Sequence, residues 1–304
     1  METYRSNGKL LLTGEYVVLD GALSLALPTT LGQRLTVEKN KTSQLKWTSI
    51  DHDGSIWFES EIDIATILSQ EPLKTDNAIL KRLIQILRAV LSQNPNALDA
   101  HQGLSITATL EFNRSWGLGS SSTLINNLAY WANVDAFQLL KDTFGGSGYD
   151  IACAQNDTSI LYRRNHSKPS IEAVDFHPKF SDQLYFVYLN AKQDSRQGIA
   201  KYRSLNKANK TTIERITSIT QDMFVCDSLD AFEGLLTAHE VIISELIGQP
   251  PIKQQLFPDY NGAIKSLGAW GGDFILVSGT THPKAYFNSK GYRTIFRYSD
   301  LILS

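Results

Sequence analysis

Along the chain, apolar and polar positions first alternate with a period of two and later recur at three and four residues, which predicts strands followed by helices. KLLLTGEYVVLDGALSLALP (9–28) sets two apolar, β-capable segments on either side of Asp20-Gly21, a favoured hairpin dipeptide, and predicts a hairpin there. LGQRLTVEKN (31–40), QLKWTSI (44–50) and SIWFESEI (55–62) continue the strand pattern, with Asp53-Gly54 as a second turn signal. The opening third therefore reads as a mostly antiparallel sheet. DNAILKRLIQILRAVLSQ (76–93) then places Ile79, Leu80, Leu83, Ile84, Leu87, Val90 and Leu91 at helical spacing, with Asp76 available as N-cap.

A strand over GLSITATLEF (103–112) leads into a glycine-serine loop, a helix over 123–132 and a shorter one over 135–144. DTSILYRR (157–164) reads as a strand, and the aperiodic polar stretch RNHSKPS (164–170) as the region of a domain boundary. The second half supplies strands at QLYFVYLN (183–190) and FILVSG (274–279), with helices over 198–208, 212–224 and 229–248. Its strand aromatics fit a core better than a stacking platform.

Composition narrows the class. With 304 residues, 42% hydrophobic and 20% charged, the chain is globular and long enough for about two domains of roughly 150 residues each. A net charge of −2 gives no electrostatic reason to expect nucleic acid or an anionic membrane as the main partner. No apolar run approaches the roughly 18 residues of a membrane helix, and the first residues hold a three-leucine run rather than a signal-peptide core, so a cytoplasmic location is expected. Cys153 and Cys226 are too few for a disulfide framework and lack zinc-ligand spacing, and His239 reads as a packed or rim histidine on an amphipathic helix.

Four segments offer chemistry. In SWGLGSSSTLINNLA (115–129), Gly117 and Gly119 permit close backbone approach while Ser120, Ser121 and Ser122 open a helix. Such a loop is either a phosphate cradle, whose serine hydroxyls can complete a magnesium shell, or a flexible connector with a Ser/Thr N-cap. It is not a Walker A, since GxxxxGK[ST] is absent from the chain. GGSGYDIACAQ (145–155) delivers Asp150 before an apolar stretch, as an N-cap or as a carboxylate that polarises a substrate hydroxyl. GAWGGDFILVSG (268–279) is a glycine-rich loop or a packed β-turn, and Lys9 is a solvated strand-end lysine or a counter-charge for carboxylate or phosphate.

In this order, the segments resemble the GHMP kinase superfamily, nearest its mevalonate and phosphomevalonate kinase branch. NGKLLLTGEYVVLDGALSLAL is similar to the first motif of that family, GLGSSST to its phosphate loop, GSGYDIACA to the segment bearing its catalytic aspartate, and KSLGAWGGDF (265–274) to its third, glycine-rich motif. The resemblance implies an α+β, two-domain GHMP kinase fold. Residues 1–168 would form a domain like domain 2 of ribosomal protein S5, and 169–304 a ferredoxin-like domain. It implies ATP and Mg²⁺ as cofactors, a small-molecule acceptor, and a kinase acting on mevalonate or a mevalonate-like acceptor such as phosphomevalonate.

Carried over residue by residue, Asp150 is the catalytic aspartate and Lys9 its charge partner. Gly117, Leu118, Gly119, Ser120, Ser121 and Ser122 cradle the nucleotide, with Ser121 also a metal ligand. Glu15, Tyr16, Lys192, Ser195, Arg196, Gly271 and Gly272 fall on the acceptor side. Trp270 and Asp273 depart from the third motif by standing at two glycine places. No glutamate between the phosphate loop and GSGYD matches the family's magnesium-binding glutamate; Asp135 and Asp142 are the acids of that stretch. These departures leave a second reading, a family member that binds nucleotide or metabolite without turnover.

Overall fold

Strands β1 (Glu2–Leu11) and β2 (Ser24–Lys39) pair with each other, but the hairpin expected at Asp20-Gly21 is absent. Residues Val17–Asp20 instead make one turn of 3-10 helix, closed by Gly21 at φ 89°. The reason is burial: Val17, Val18 and Leu19 are all inside, so this run has no solvent face to alternate with. The computed structural model describes residues 1–69, 71–165, 168–205, 208–279 and 283–303.

Contacts group the chain into two units. The first comprises Met1–Gly8, Leu31–Arg114 and Gly119–Gln155; the second comprises Lys9–Thr30, Ser115–Leu118 and Asn156–Ser304. A division at 168/169 follows the chain in order, whereas this grouping is discontinuous, because β1, β2 and the glycine-serine loop each contribute to both units.

In the first unit the strand order is β4 (Ile56–Asp63), β3 (Gln44–Ile50), β5 (Leu104–Leu110), then β2. β3 pairs antiparallel with β4 and parallel with β5, and β5 runs antiparallel to β2 from Gln33↔Leu110 to Lys39↔Leu104. A short helix α1 (Ile64–Leu68) precedes α2 (Ala78–Gln93), which buries Leu83, Ile84, Ile86, Leu87 and Val90. Ile86 joins this face while Ile79, in the first turn, is exposed. The N-cap is Asn77 rather than Asp76, its Oδ1 accepting from the amides of Ile79 and Leu80 at 3.0 and 3.1 Å.

The helices α3 (Ser120–Ala132), α4 (Ala136–Thr143) and α5 (Tyr149–Ala154) pack on one another. Asp135 caps α4 through the amides of Phe137 and Gln138. One apolar core joins α2, α3 and α4 to the inner face of β2, β3 and β5.

In the second unit β6 (Ile160–Arg163) pairs with the first residues of β2 and with β7 (Ser170–Ala173), both antiparallel. The expected boundary stretch 164–170 thus connects two paired strands; its His166 and Ser167 lie outside the described residues. There follow β8 (Leu184–Tyr188), α6 (Ser195–Leu205), α7 (Lys210–Phe224), α8 (Leu229–Ile247), α9 (Ile252–Leu256), β9 (Ile264–Ser266), β10 (Phe274–Ser278), α10 (Pro283–Ser289), β11 (Ile295–Arg297) and α11 (Tyr298–Leu301). A second, antiparallel sheet has the order β11-β8-β10-β9. Leu303 donates its amide to Pro28 O at 3.0 Å, tying the end of the chain to β2. Among the described residues, no helix is long and apolar enough to cross a membrane.

Candidate active site

In the first unit, Gly119 takes φ 94° and turns the chain into α3. The first helical bond is Thr123 N to Gly119 O at 3.0 Å, so the amides of Ser120, Ser121 and Ser122 precede any intrahelical acceptor, and no side chain caps them. The Ser122 hydroxyl bonds back to Gly119 O at 2.9 Å, and that of Thr123 donates to Gln33 Oε1 at 2.7 Å. Ser121 is exposed. This helix start combines three amides with an outward hydroxyl, a donor set suited to phosphate oxygens.

Beneath it lies a buried amide network that the sequence analysis did not single out. Ser6 Oγ donates to Asn127 Oδ1 at 2.7 Å and accepts from Asn126 Nδ2 at 2.9 Å; Asn127 Nδ2 reaches Gln33 O at 2.9 Å, and Gln155 Nε2 reaches Asn126 Oδ1 at 2.8 Å. These bonds fix α3 to β1, to β2 and to Gln155, the C-cap residue of α5. The available signal was adjacent Asn126 and Asn127 inside an otherwise apolar helical stretch, since buried amides must find partners. Asp150 occupies the first turn of α5, with Gly148 at φ 92° in the capping position. The N-cap alternative for Asp150 is therefore taken by glycine, and its carboxylate is carried on a helix packed against α3.

In the second unit, the start of the same loop is pinned. Lys9 donates its amide to Leu118 O at 3.0 Å and its Nζ to Gly117 O at 3.0 Å. The Trp116 ring packs on Tyr188, Phe274 and Phe296 at centroid distances of 6.4, 6.1 and 5.3 Å, and Tyr188 Oη donates to Ser115 O at 3.1 Å. Lys9, Gly117 and Leu118 are brought together; Trp116 is the anchor that sequence reasoning left out.

Glu15 and Tyr16 sit in a strained turn. Val17 N bonds to Glu15 O at 2.8 Å around Tyr16, which has φ 65° and ψ −53°. That is the γ-turn of positive φ, a rare and strained conformation that persists only where its surroundings fix it. Each residue of the turn is held. Gly14 N donates to His239 Nε2 at 2.9 Å, Glu15 Oε1 accepts from Lys265 Nζ, and the Tyr16 hydroxyl accepts the Trp270 amide. The Tyr16 ring stacks on Tyr202 at 5.4 Å, and Tyr202 in turn donates to Asp20.

The Glu15 carboxylate thus faces a buried cluster. Burial pushes its pKa up while the Lys265 ammonium pulls it down. His239 is held neutral, its pKa driven well below the usual value by burial and by Lys265. Its Nε2 carries the lone pair that accepts from Gly14, which puts the ring proton on Nδ1, a buried atom without a partner. Glu240, bonded to Ser266 N and Oγ, is raised by burial to about 7, against the pull of Lys265.

The remaining acceptor-side candidates lie on two loops of this unit. Arg196 is engaged by Asp194, through its own amide at 2.9 Å and its guanidinium at 3.3 Å, while Ser195 opens α6. Gly272 abuts Ala191 O and the Gln193 side chain, where any Cβ would collide, so the loop of Lys192 and the third glycine-rich motif are in contact. Gly271 has φ 98°, and Trp270 is buried with its ring N–H unpartnered.

Neither a protein-family model nor a curated protein sequence matches the chain. Solved structures do. The mevalonate kinase of Methanococcus jannaschii superposes with a TM-score of 0.72 at 13% identity, over 100% of this chain and 98% of that one. The phosphomevalonate kinase of Streptococcus pneumoniae, in complex with phosphomevalonate and AMPPNP, gives 0.70 at 18% identity over 100% and 98%. The galactokinase of Lactococcus lactis, complexed with galactose, gives 0.66 at 14% identity over 97% and 92%. Across nearly its whole length, this chain has the α+β fold of the GHMP kinases.

Proposed function

We propose that this protein is an ATP-dependent small-molecule kinase of the GHMP type, transferring a phosphoryl group to a hydroxyl or phosphate oxygen of mevalonate or a mevalonate-like acceptor such as phosphomevalonate. The observation that carries the reading is the first unit's pairing of an uncapped, serine-bearing helix start with Asp150 on the helix packed against it. A binding module needs the first of these and has no use for the second.

The residues present fit the cofactors. Three amides without helical acceptors suit the oxygens of a nucleoside triphosphate, and the Ser121 hydroxyl is a hard oxygen donor of the kind Mg²⁺ takes alongside phosphate oxygens. Among the described residues no group of three His, Cys, Asp or Glu side chains could hold a metal by itself. Bound MgATP supplies the phosphoryl group and shields its charge.

The chain's own residues do the rest. The amides of Ser120, Ser121 and Ser122 fix phosphate oxygens without reorganisation, Lys9 offsets negative charge at Gly117, and Asp150 orients the acceptor hydroxyl and accepts its proton. Tyr16, with Lys192, Ser195, Arg196, Gly271 and Gly272, is assigned to the acceptor; Glu15, expected on the same side, is buried and paired with Lys265 and is assigned to holding Tyr16. The first motif, which is similar to that of mevalonate and phosphomevalonate kinases, favours such an acceptor over a sugar.

The test is ADP release by purified protein with ATP and Mg²⁺ across mevalonate, phosphomevalonate, diphosphomevalonate, homoserine and simple sugars, with Asp150→Ala alongside. Turnover with one acceptor, lost by about two orders of magnitude or more in the variant, establishes the kinase and names its substrate. A folded protein that binds ATP and releases no ADP with any of them supports the non-catalytic reading instead.

A further inference from the structure

Helix α6 is exposed along most of its length and buries one side chain, Tyr202. Its grip on the turn at Tyr16 is specific. The Tyr202 ring stacks on the Tyr16 ring with centroids 5.4 Å apart and planes inclined by 28°, and the Tyr202 hydroxyl donates to Asp20. The Arg203 guanidinium donates to the other oxygen of Asp20 at 2.6 Å. Tyr16 precedes the 3-10 turn and Asp20 ends it, so α6 holds the turn at both ends. One helical turn before Tyr202, Gly198 abuts the Tyr16 hydroxyl: a Cβ on it would stand 3.0 Å from that oxygen. Residues four apart share a helix face, so Gly198 and Tyr202 close on Tyr16 together, and Ser195, three residues earlier, continues the same stripe. Arg196 lies about 100° round the helix from Ser195 and is paired with Asp194.

We propose that Tyr202 is a positioning residue, clasping α6 to the strained turn so that Tyr16 and Ser195 meet the acceptor in a fixed relation; as a part of phosphoryl transfer, this rests on the kinase reading above. The turn needs an external hold, because a tyrosine at φ 65° persists only where its contacts fix it. Lys265 and His239 hold Glu15 and Gly14, but the Tyr16 ring itself rests on Tyr202. The dependence is mutual: with a single buried side chain, α6 relies on the same contact for its register. Burial and the Asp20 carboxylate push the Tyr202 phenol pKa up, which keeps its hydroxyl a donor.

Tyr202→Phe keeps the ring on Tyr16 and removes the bond to Asp20, whereas Tyr202→Leu removes both. The first readout is hydrogen–deuterium exchange of peptides covering residues 195–205, with peptides of α8 as internal reference. A hydrogen bond to a charged acceptor is worth about tenfold or more in an equilibrium constant, so local opening of α6 should rise about tenfold in Tyr202→Phe and further in Tyr202→Leu, while α8 exchanges as in wild type.

The second readout is steady-state kinetics with the accepted substrate. The acceptor KM should rise about tenfold in Tyr202→Phe with the ATP KM unchanged, whereas simple loss of folded protein lowers kcat and leaves both KM values alone. Gly198→Ala separates the helix from the clasp, since alanine strengthens a helix but sets its Cβ against a Tyr16 hydroxyl already held by the Trp270 amide. In that variant the acceptor KM should rise about threefold or more although α6 exchanges no faster than wild type. Unchanged α6 exchange in both Tyr202 variants overturns the proposal, as does an unchanged acceptor KM in a variant whose α6 opens more often. Faster α6 exchange in a protein that transfers no phosphoryl group supports the clasp and overturns the kinase reading, so the two fail separately.

Discussion

Lys265 and Glu15 form an ion pair whose side chains are 0% and 1% exposed, joining β9 to the strained turn that presents Tyr16. Lys265 Nζ also donates to Ser266 O at 2.8 Å, and the second Glu15 oxygen lies 3.3 Å from the His239 ring. A pair so deeply buried contributes little net stability, because desolvation offsets its attraction; what it supplies is a fixed position for Glu15. Removing one partner strands the other. Lys265→Met should therefore destabilise the protein by about 3 to 5 kcal/mol in urea unfolding, and Glu15→Gln in the same chain should restore a large part of that loss.

The same cluster predicts opposed pH responses. Glu240 has a native pKa of about 7 against an ordinary 4.5, so the native state keeps a proton that the unfolded chain has lost. Its contribution is full below about pH 4.5 and is lost as pH rises toward about 7, a span worth roughly 3 kcal/mol. The raised carboxyl of Glu15 acts in the same direction. His239 has the reverse sign: its depressed pKa gives a contribution present above about 6.5 and lost as pH falls. Relative to wild type, Glu240→Gln should gain stability from pH 5 to 7.5. His239→Gln, which keeps an acceptor for Gly14 N, should gain as pH drops from 7 to 5. Unfolding free energies of the three proteins across this range check both slopes; parallel profiles would refute the assignment.

Much of the fold was legible because its strands and helices carry clean periodicities: β3, β5 and α8 fall within a residue or two of the expected bounds. The errors are tertiary. Val17, Val18 and Leu19 read as strand because all three are apolar and β-branched or bulky, yet burial on every side fits a 3-10 turn equally well. The candidate site was legible at Gly119 and Asp150, where glycine and acid stand beside apolar helices. His239 was legible as a packed histidine and is buried, but its partners were not, and neither were Glu240 and Lys265, since a glutamate or lysine in a helix or strand reads as surface until the fold brings its partners together.

Asp150 and Ser121 should separate in their effects. Asp150→Asn removes the carboxylate proposed as proton acceptor from the first turn of α5 while preserving shape, so kcat should fall by about 10²-fold or more with ATP affinity unchanged. Ser121→Ala takes one exposed hydroxyl from a helix start whose amides remain. Its effect should fall on the Mg²⁺ concentration needed for half-maximal rate, raised several-fold, with α3 intact by circular dichroism. Titrating ATP and Mg²⁺ independently in the two variants distinguishes the roles.

Gly117 and Asp273 should be coupled energetically. Gly117 has φ 71°, and its missing side chain is the space the Asp273 carboxyl group fills. Gly117→Ala therefore meets two costs in the wild-type chain: about 1 kcal/mol for an L-residue in the left-handed region, and about 1 to 3 kcal/mol for overpacking. In an Asp273→Gly background the carboxyl group is gone and only the backbone cost remains, so the same substitution should destabilise by about 1 kcal/mol. The difference is a coupling energy of at least about 1 kcal/mol, measurable by urea unfolding of the two single variants and the double variant. Equal costs in both backgrounds would place the Asp273 side chain away from Gly117 in solution.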